Sequence, residues 1–245
     1  MTEESLAPLH AYAKACREST SFKDLRTAAF EFYDQTPVKM MSYIHYPPVG
    51  VEEFNTNLNV SSVGFPKAWV QIYYQHRLYE CDPMARLAST RIYPFFWREA
   101  RQMPDLTDRE LEFLDRAREF KLDVGITVPV FGPNGRNGYC GFGFGRDEHS
   151  PDASMISTLH MACQMGHLAY IDVLLSRLPV EPALSKRERE ILRLVAKGQT
   201  NGEIAKTLDL SANTVHTYVK RSFEKLDVSD RVSAALRGMA LGLLS

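Results

Sequence analysis

The stretch QTNGEIAKTLDLSANTVHTYVKRSFEKL, Gln199 to Leu226, constrains the fold of this 245-residue chain most, because its spacing reads as a helix-turn-helix. Asn201 is placed to cap a short helix whose inward residues are Ile204, Ala205 and Leu208, with the small Ala205 allowing a second helix to cross closely. Asp209 and Leu210 make the turn, Ser211 caps the second helix, and Val215, Val219, Phe223 and Leu226 form its apolar stripe. The opposite face carries Asn213, His216, Thr217, Lys220, Arg221 and Lys225. A capped helix with one apolar stripe and one face of hydrogen-bonding groups is what a DNA major groove admits and reads. A helical hairpin inside an all-α core is the alternative.

Charge separates the two alternatives. Residues 183–245 hold eleven Lys/Arg against seven Asp/Glu, whereas residues 1–182 hold eighteen against twenty-three, a split hidden by the whole-chain charge of -1. The segment LSKREREILRLVAKGQTNGEIAKTLDLSANTVHTYVKRSFEKLDVSDR also resembles, along its whole length, the four-helix DNA-binding domain of LuxR-type regulators. Glu188, Leu192 and Gly198 stand at that family's signature positions, and the resemblance implies base reading by His216, Thr217 and Lys220. Thr200, Ser211, Asn213 and Arg221 complete the residues assigned to DNA contact.

The length allows two modest domains. No apolar run approaches the roughly 18 residues of a membrane span and MTEESLAPLH lacks signal-peptide character, so a cytoplasmic protein without a membrane partner is expected. Cys16, Cys81, Cys140 and Cys163 have no metal or disulfide spacing. Leu6, Leu9, Ala13 and Cys16 are spaced for a first helix, and Ser21 caps a second containing Phe22, Leu25, Ala29 and Phe32. Strands are expected at Val38–Tyr46, Leu58–Val63, Gly125–Phe131 and Tyr139–Phe144, the last two forming a hairpin around Asn134-Gly135. A helix from about Pro66 carries Trp69, Ile72, Tyr73 and His76, Thr107 with Glu110 forms a capping box for another, and a long helix runs from Pro151 to about Leu178. Tyr93 to Met103 is aromatic and gives no backbone pattern. This order predicts an α+β N-terminal domain over residues 1–178, an antiparallel sheet covered by helices as an α-β-α sandwich. A stiff linker at 179–183 and an all-α four-helix domain at 184–245 follow.

The resemblance extends into the first domain. FPKAWVQIYYQHRLYECDP, then FFW and FKLDVGITVPV, are similar to the signature of the acyl-homoserine-lactone-binding domain of LuxR-type receptors, with Trp69, Tyr73, Asp82, Pro83, Trp97 and Gly125 at matching positions. The chemistry also stands without the family. An N-acyl homoserine lactone offers a lactone carbonyl, which suits the donor-only indole of Trp69, and an amide N–H, which suits the acceptor-only carboxylate of Asp82. Trp97 and Tyr73 would wall the ligand. The competing reading makes Trp69 and Tyr73 core residues at i and i+4, and Asp82 a turn residue before proline.

Two departures matter. Phe65 stands where many such receptors have tyrosine, and Gly141 where they often have Ser or Thr, so the amide carbonyl must turn to Tyr139, Thr127, Tyr43 or a water, or remain poorly satisfied. In GYCGFGFG, period-two alternation puts Tyr139, Gly141, Gly143 and Gly145 on one nearly bare face, either for close helix packing or to enlarge a pocket for a bulky tail. His160, Cys163 and His167 share a helix but lack a fourth metal ligand, and a helix surface explains them. No GxSxG or HExxH is present, which weighs against a lactone-modifying enzyme. What the resemblance implies is a quorum-sensing transcriptional regulator without cofactor, binding an N-acyl homoserine lactone, and the glycine face points to an aryl or long-chain acyl group. It would bind a two-fold operator as a homodimer, with RNA polymerase as a partner if it activates, and with dimer contacts from the long helix and from Val232, Leu236, Met239 and Leu243. The alternative is a regulator answering a non-lactone effector or none.

Overall fold

The computed structural model describes residues 3–51, 59–145, 151–178 and 183–244. The chain separates into two compact units, one comprising Met1–Tyr46, Thr56–Gly132 and Arg136–Arg177, the other containing Leu178–Ser245. The expected linker prolines Pro179 and Pro182, and Leu58 at the start of the second expected strand, lie outside the described residues.

The first unit is built on a five-stranded sheet in the order β2-β1-β5-β4-β3, with β1 at Met40–Tyr46, β2 at Asn59–Val63, β3 at Phe95–Phe96, β4 at Gly125–Val130 and β5 at Asn137–Gly143. Every pairing is antiparallel. Alternation along each strand assigns its residues to two cores. Ile126, Val128, Val130, Cys140 and Phe142 face a layer of α1 (Glu3–Glu18), α2 (Phe22–Tyr33) and α6 (Ala153–Leu175). Met40, Ile44 and Tyr139 face the opposite layer of α3 (Lys67–Gln75), α4 (Pro83–Ala88) and α5 (Asp108–Glu119). The α-β-α sandwich is therefore present.

Local chemistry sets most boundaries. Ser21 caps α2 by accepting from the Asp24 N–H, and Asp152 caps α6 through the Met155 N–H. Thr107 and Glu110 cap α5 reciprocally. Pro66 precedes α3, and His76, at the far end of the expected helix, is its exposed C-terminal cap. The patternless aromatic segment becomes the two-residue β3 and a 3-10 turn, Trp97–Gln102, anchored by the Phe96 N–H donating to Glu99 at 2.8 Å.

The second unit holds α7 (Lys186–Ala196), α8 (Asn201–Leu208), α9 (Ala212–Leu226) and α10 (Arg231–Ala240) around Ile191, Leu192, Ile204, Val215 and Leu226. Gly198 ends α7 at φ +82°, where its N–H and that of Gln199 close on Val195 and Leu194 carbonyls, a left-handed stop that glycine makes without a Cβ penalty. One expectation is corrected here: Asn201 is the first residue of α8, and the cap is Thr200, which accepts from the Glu203 N–H while Glu203 returns to the Thr200 N–H.

Candidate functional site

Between the sheet and the α3–α5 layer lies a cavity of about 450 Å³. Asp82 sits in its wall because it is also the N-cap of α4: Oδ1 accepts from the Met84 N–H at 2.8 Å and Oδ2 from the Tyr73 hydroxyl at 3.0 Å. The Tyr139 hydroxyl is a third donor. Burial pushes the carboxyl up to about 6, against the lowering effect of those three donors, and the same burial, with Asp82 next to them, keeps both phenols neutral. Two carboxylate oxygens offer roughly four acceptor sites, so capacity remains for one further donor from the cavity. Pro83, next in sequence, starts α4 at the position where its missing N–H costs nothing.

Trp69 and Tyr73 project from one side of α3, their rings 6.0 Å apart, and the Trp69 indole meets Phe113 edge-on at 5.5 Å. Trp69 is buried and lines the cavity, and among the described residues no acceptor takes its N–H. The Trp97 indole donates to the Thr127 hydroxyl at 3.1 Å across the cavity floor. Phe65, Thr127, Tyr139 and Gly141 also line the space.

The bare face of β5 looks toward the cavity, which Gly141 lines, and the side chains nearest it are Ser42, Met40 and Trp97. A Cβ at Gly125 would meet indole carbons of Trp97 at 2.6 Å, one at Gly143 would meet the same ring at 3.2 Å, and one at Gly141 at 3.7 Å. Gly125 and Gly143 leave room for the Trp97 ring, Gly143 for the Met40 methyl as well, whereas at Gly141 the Ser42 hydroxyl stands nearest, 2.7 Å from such a Cβ. Gly145 does not share this face, since β5 ends at Gly143 and Gly145 turns away at φ +79°.

Tyr43 is a second correction. As an odd-numbered residue of β1 it faces the α6 layer, where its hydroxyl lies 2.8 Å from His167 Nδ1 and its ring packs on Tyr170. His167 is buried, with Nε2 2.8 Å from the Arg136 carbonyl, so a helix surface does not explain it; burial lowers it to about 4, and it stays neutral. Cys163 is also buried, 3.6 Å from the Tyr33 hydroxyl. The sequence reading missed Ser42 and Ser62, pocket-lining hydroxyls on β1 and β2. Antiparallel register, which places Ser42 opposite both Ser62 and Gly141, is the signal that finds them.

In the second unit Ser211 caps α9 by accepting from the Thr214 N–H at 3.0 Å. Val215, Val219 and Leu226 are buried, while Asn213, His216, Thr217, Lys220 and Arg221 are exposed along the other face. Lys225 leaves this set: its ammonium donates to Glu188 at 2.7 Å and to the Ala183 carbonyl. Glu188, buried, also caps α7 with Ser185. Burial opposes its ionisation, but Lys225 and Ser185 hold the carboxyl below its ordinary value. Thr200 remains exposed at the start of α8 with its hydroxyl engaged by Glu203.

Residues 21–170 match the family model described as autoinducer binding domain, and residues 182–237 the one described as bacterial regulatory proteins, luxR family. The transcriptional activator protein AhyR of Aeromonas hydrophila is 28% identical over 185 residues, 73% of this chain and 71% of that protein. The HTH-type quorum-sensing regulator RhlR of Pseudomonas aeruginosa is 29% identical over 183 residues, 74% of each. The Escherichia coli protein SdiA has the same fold, with a TM-score of 0.70 at 23% identity over 97% of this chain and 99% of that one. SdiA in complex with octanoyl-rac-glycerol gives 0.71.

Proposed function

The chain belongs to the LuxR family of quorum-sensing transcriptional regulators, an autoinducer-binding domain followed by a DNA-binding one, and from that premise we propose that its effector is an N-acyl homoserine lactone, long-chain or aryl, which it converts into operator binding as a homodimer. The supporting observation is Asp82. An apolar cavity that keeps a buried carboxylate in its wall, with acceptor capacity left over, suits a ligand that brings an N–H donor. The Trp69 N–H, on the other side of Tyr73, suits the lactone carbonyl. Aromatic walls from Phe65, Tyr74, Phe96 and Trp97 favour a long or aryl tail.

On α9, His216 and Lys220 lie one turn apart on the exposed face and are assigned to base edges, Thr217 and Asn213 beside them, with Arg221, Ser211 and Thr200 on phosphates. Dimerisation is assigned to two exposed apolar stripes at seven-residue spacing, Met161, Leu168 and Leu175 on α6 and Val232 with Met239 on α10. Leu236 and Leu243 are half-buried, and Leu243 packs on the core of its own unit. Two such units reading two half-sites imply a two-fold operator, and RNA polymerase is the further partner if the protein activates. No described helix is long and apolar enough to cross a membrane, and a cytoplasmic site of action is part of the proposal.

The test uses the two tryptophans of the chain, both of which line the cavity, so that intrinsic fluorescence reports occupancy. Octanoyl, dodecanoyl and cinnamoyl homoserine lactones are titrated beside octanoyl glycerol, whose ester has no N–H for Asp82. The lactones should bind more tightly. An acylglycerol bound as well as every lactone would replace the lactone reading by a non-lactone acyl effector.

A further inference from the structure

The pocket face of the sheet carries a transverse row of residues in register: Ser62 pairs with Ser42, Ser42 with Gly141, Gly141 with Thr127, and Thr127 with Phe95. The row therefore has hydroxyls on β2, β1 and β4, with a gap on β5 at Gly141. Thr127 is engaged as an acceptor, from the Trp97 indole, and keeps its own O–H to donate. Ser42 is not: its hydroxyl lines the cavity and, among the described residues, makes no hydrogen bond.

The gap at Gly141 is filled in an informative way. A Cβ built there would lie 2.7 Å from the Ser42 Oγ, so the Ser42 hydroxyl occupies the space into which a side chain at 141 would grow. Along β5, Gly141 is two residues, roughly 7 Å, from Tyr139, whose phenol reaches Asp82. An amide that donates its N–H to Asp82 points its carbonyl the opposite way, and the two hydrogen bonds together span roughly 8 Å at full stretch.

We infer that Ser42 is a specificity-determining residue of the pocket, its hydroxyl donating to the acyl amide carbonyl in place of the hydroxyl that Gly141 lacks. This rests on the lactone reading of the same cavity. It makes the hydroxyl transferable between strands. With Ser42 reduced to alanine, the neighbour remaining near a Cβ at 141 is the Trp97 ring at 3.7 Å, an ordinary contact, so a serine at 141 then fits.

The experiment uses the full chain, tryptophan fluorescence, and two isosteric probes, N-octanoyl homoserine lactone and its thioamide, whose sulfur is a weak acceptor but whose N–H is kept. Ser42→Ala should weaken amide binding about five- to tenfold, one neutral hydrogen bond, and change thioamide binding much less. Gly141→Ser alone should also weaken binding, by crowding Ser42. The double variant Ser42→Ala/Gly141→Ser should return to within about threefold of wild type, better than either single change. If wild type binds the amide and Ser42→Ala binds both probes as wild type does, the Ser42 role is overturned and the lactone reading stands. A double variant no better than the singles overturns it equally. Wild type that binds neither these probes nor dodecanoyl or cinnamoyl homoserine lactone overturns both readings together.

Discussion

The cavity of the first unit and the exposed face of α9 are functional surfaces of opposite construction. The α9 face is written in one cap and the fifteen consecutive residues after it: one stripe, and whatever lies opposite the stripe. The cavity is assembled from five strands, three helices and a 3-10 turn, and its residues share no local period. A local surface tolerates the loss of one side chain without losing its neighbours, whereas in a non-local one each side chain also holds another in place. Asp82 caps α4 while facing the cavity, and Trp97 both forms the floor and fills the room left by Gly125 and Gly143.

The largest expected effect tests the limit of that contrast, because Glu188 ties the local surface to the rest of its unit. Glu188→Ala removes the reciprocal cap of α7 and strands the Lys225 ammonium that fixes the end of α9. The loss is expected at about 3 kcal/mol, from the cap, the lost hydrogen bonds of the buried carboxylate and its half-exposed ion pair together. Thermal unfolding should show it, and gel shifts should weaken on operator and scrambled DNA alike. Unchanged stability would make the α9 face self-sufficient.

Next in size is Asp82→Asn, expected to cost about 2 kcal/mol or more of ligand affinity, since the amide loses charge assistance and buries an NH2 among donors. Because the amide can still cap α4, folding should suffer less than binding. Equal losses in the two would make Asp82 a structural cap alone. Lys220→Ala and His216→Ala come next, each expected to cost about 1 to 3 kcal/mol on operator DNA and little on scrambled DNA, while Arg221→Ala weakens both and flattens the salt dependence. Equal loss on both DNAs for Lys220→Ala would move it to a phosphate contact.

The same contrast explains what the sequence made legible. Caps at Ser21, Thr107 and Ser211 and the stripe of α9 follow from spacing within a few residues, and the structure has them. Asn201 was displaced by its neighbour Thr200 because both are capping types, and only the Glu203 three residues on favours Thr200. Lys225 has the right spacing for the exposed face, but its partner Glu188 is thirty-seven residues away. Tyr43 and Ser42 show the same limit in the sheet. They differ by one residue, and which of them faces the cavity depends on register with β5, which propensity along β1 does not contain. The seat of Trp97 needs glycines from two strands, Gly125 and Gly143, and an indole from a turn with no recognisable pattern.

The smallest effect concerns protons and isolates the carboxylate within the cavity. Asp82 titrates near 6 in the folded chain because burial penalises its charge. A carboxyl raised above its unfolded value of about 3.9 stabilises the ligand-free fold fully below that value, and this contribution is lost as pH rises through 6. Ligand affinity runs the other way, because an amide N–H needs the ionised acceptor. At pH 7 about nine-tenths of Asp82 is ionised and at pH 5 about one-tenth, so affinity should fall about tenfold between them, roughly 1.4 kcal/mol. His167 titrates near 4 on the opposite face of the sheet, below this window. Fluorescence titrations with octanoyl homoserine lactone at pH 5, 6 and 7 read the slope, and Asp82→Asn should flatten it. A flat wild-type profile would mean that the carboxylate does not receive the ligand's proton donor, and would return Asp82 to the role of helix cap.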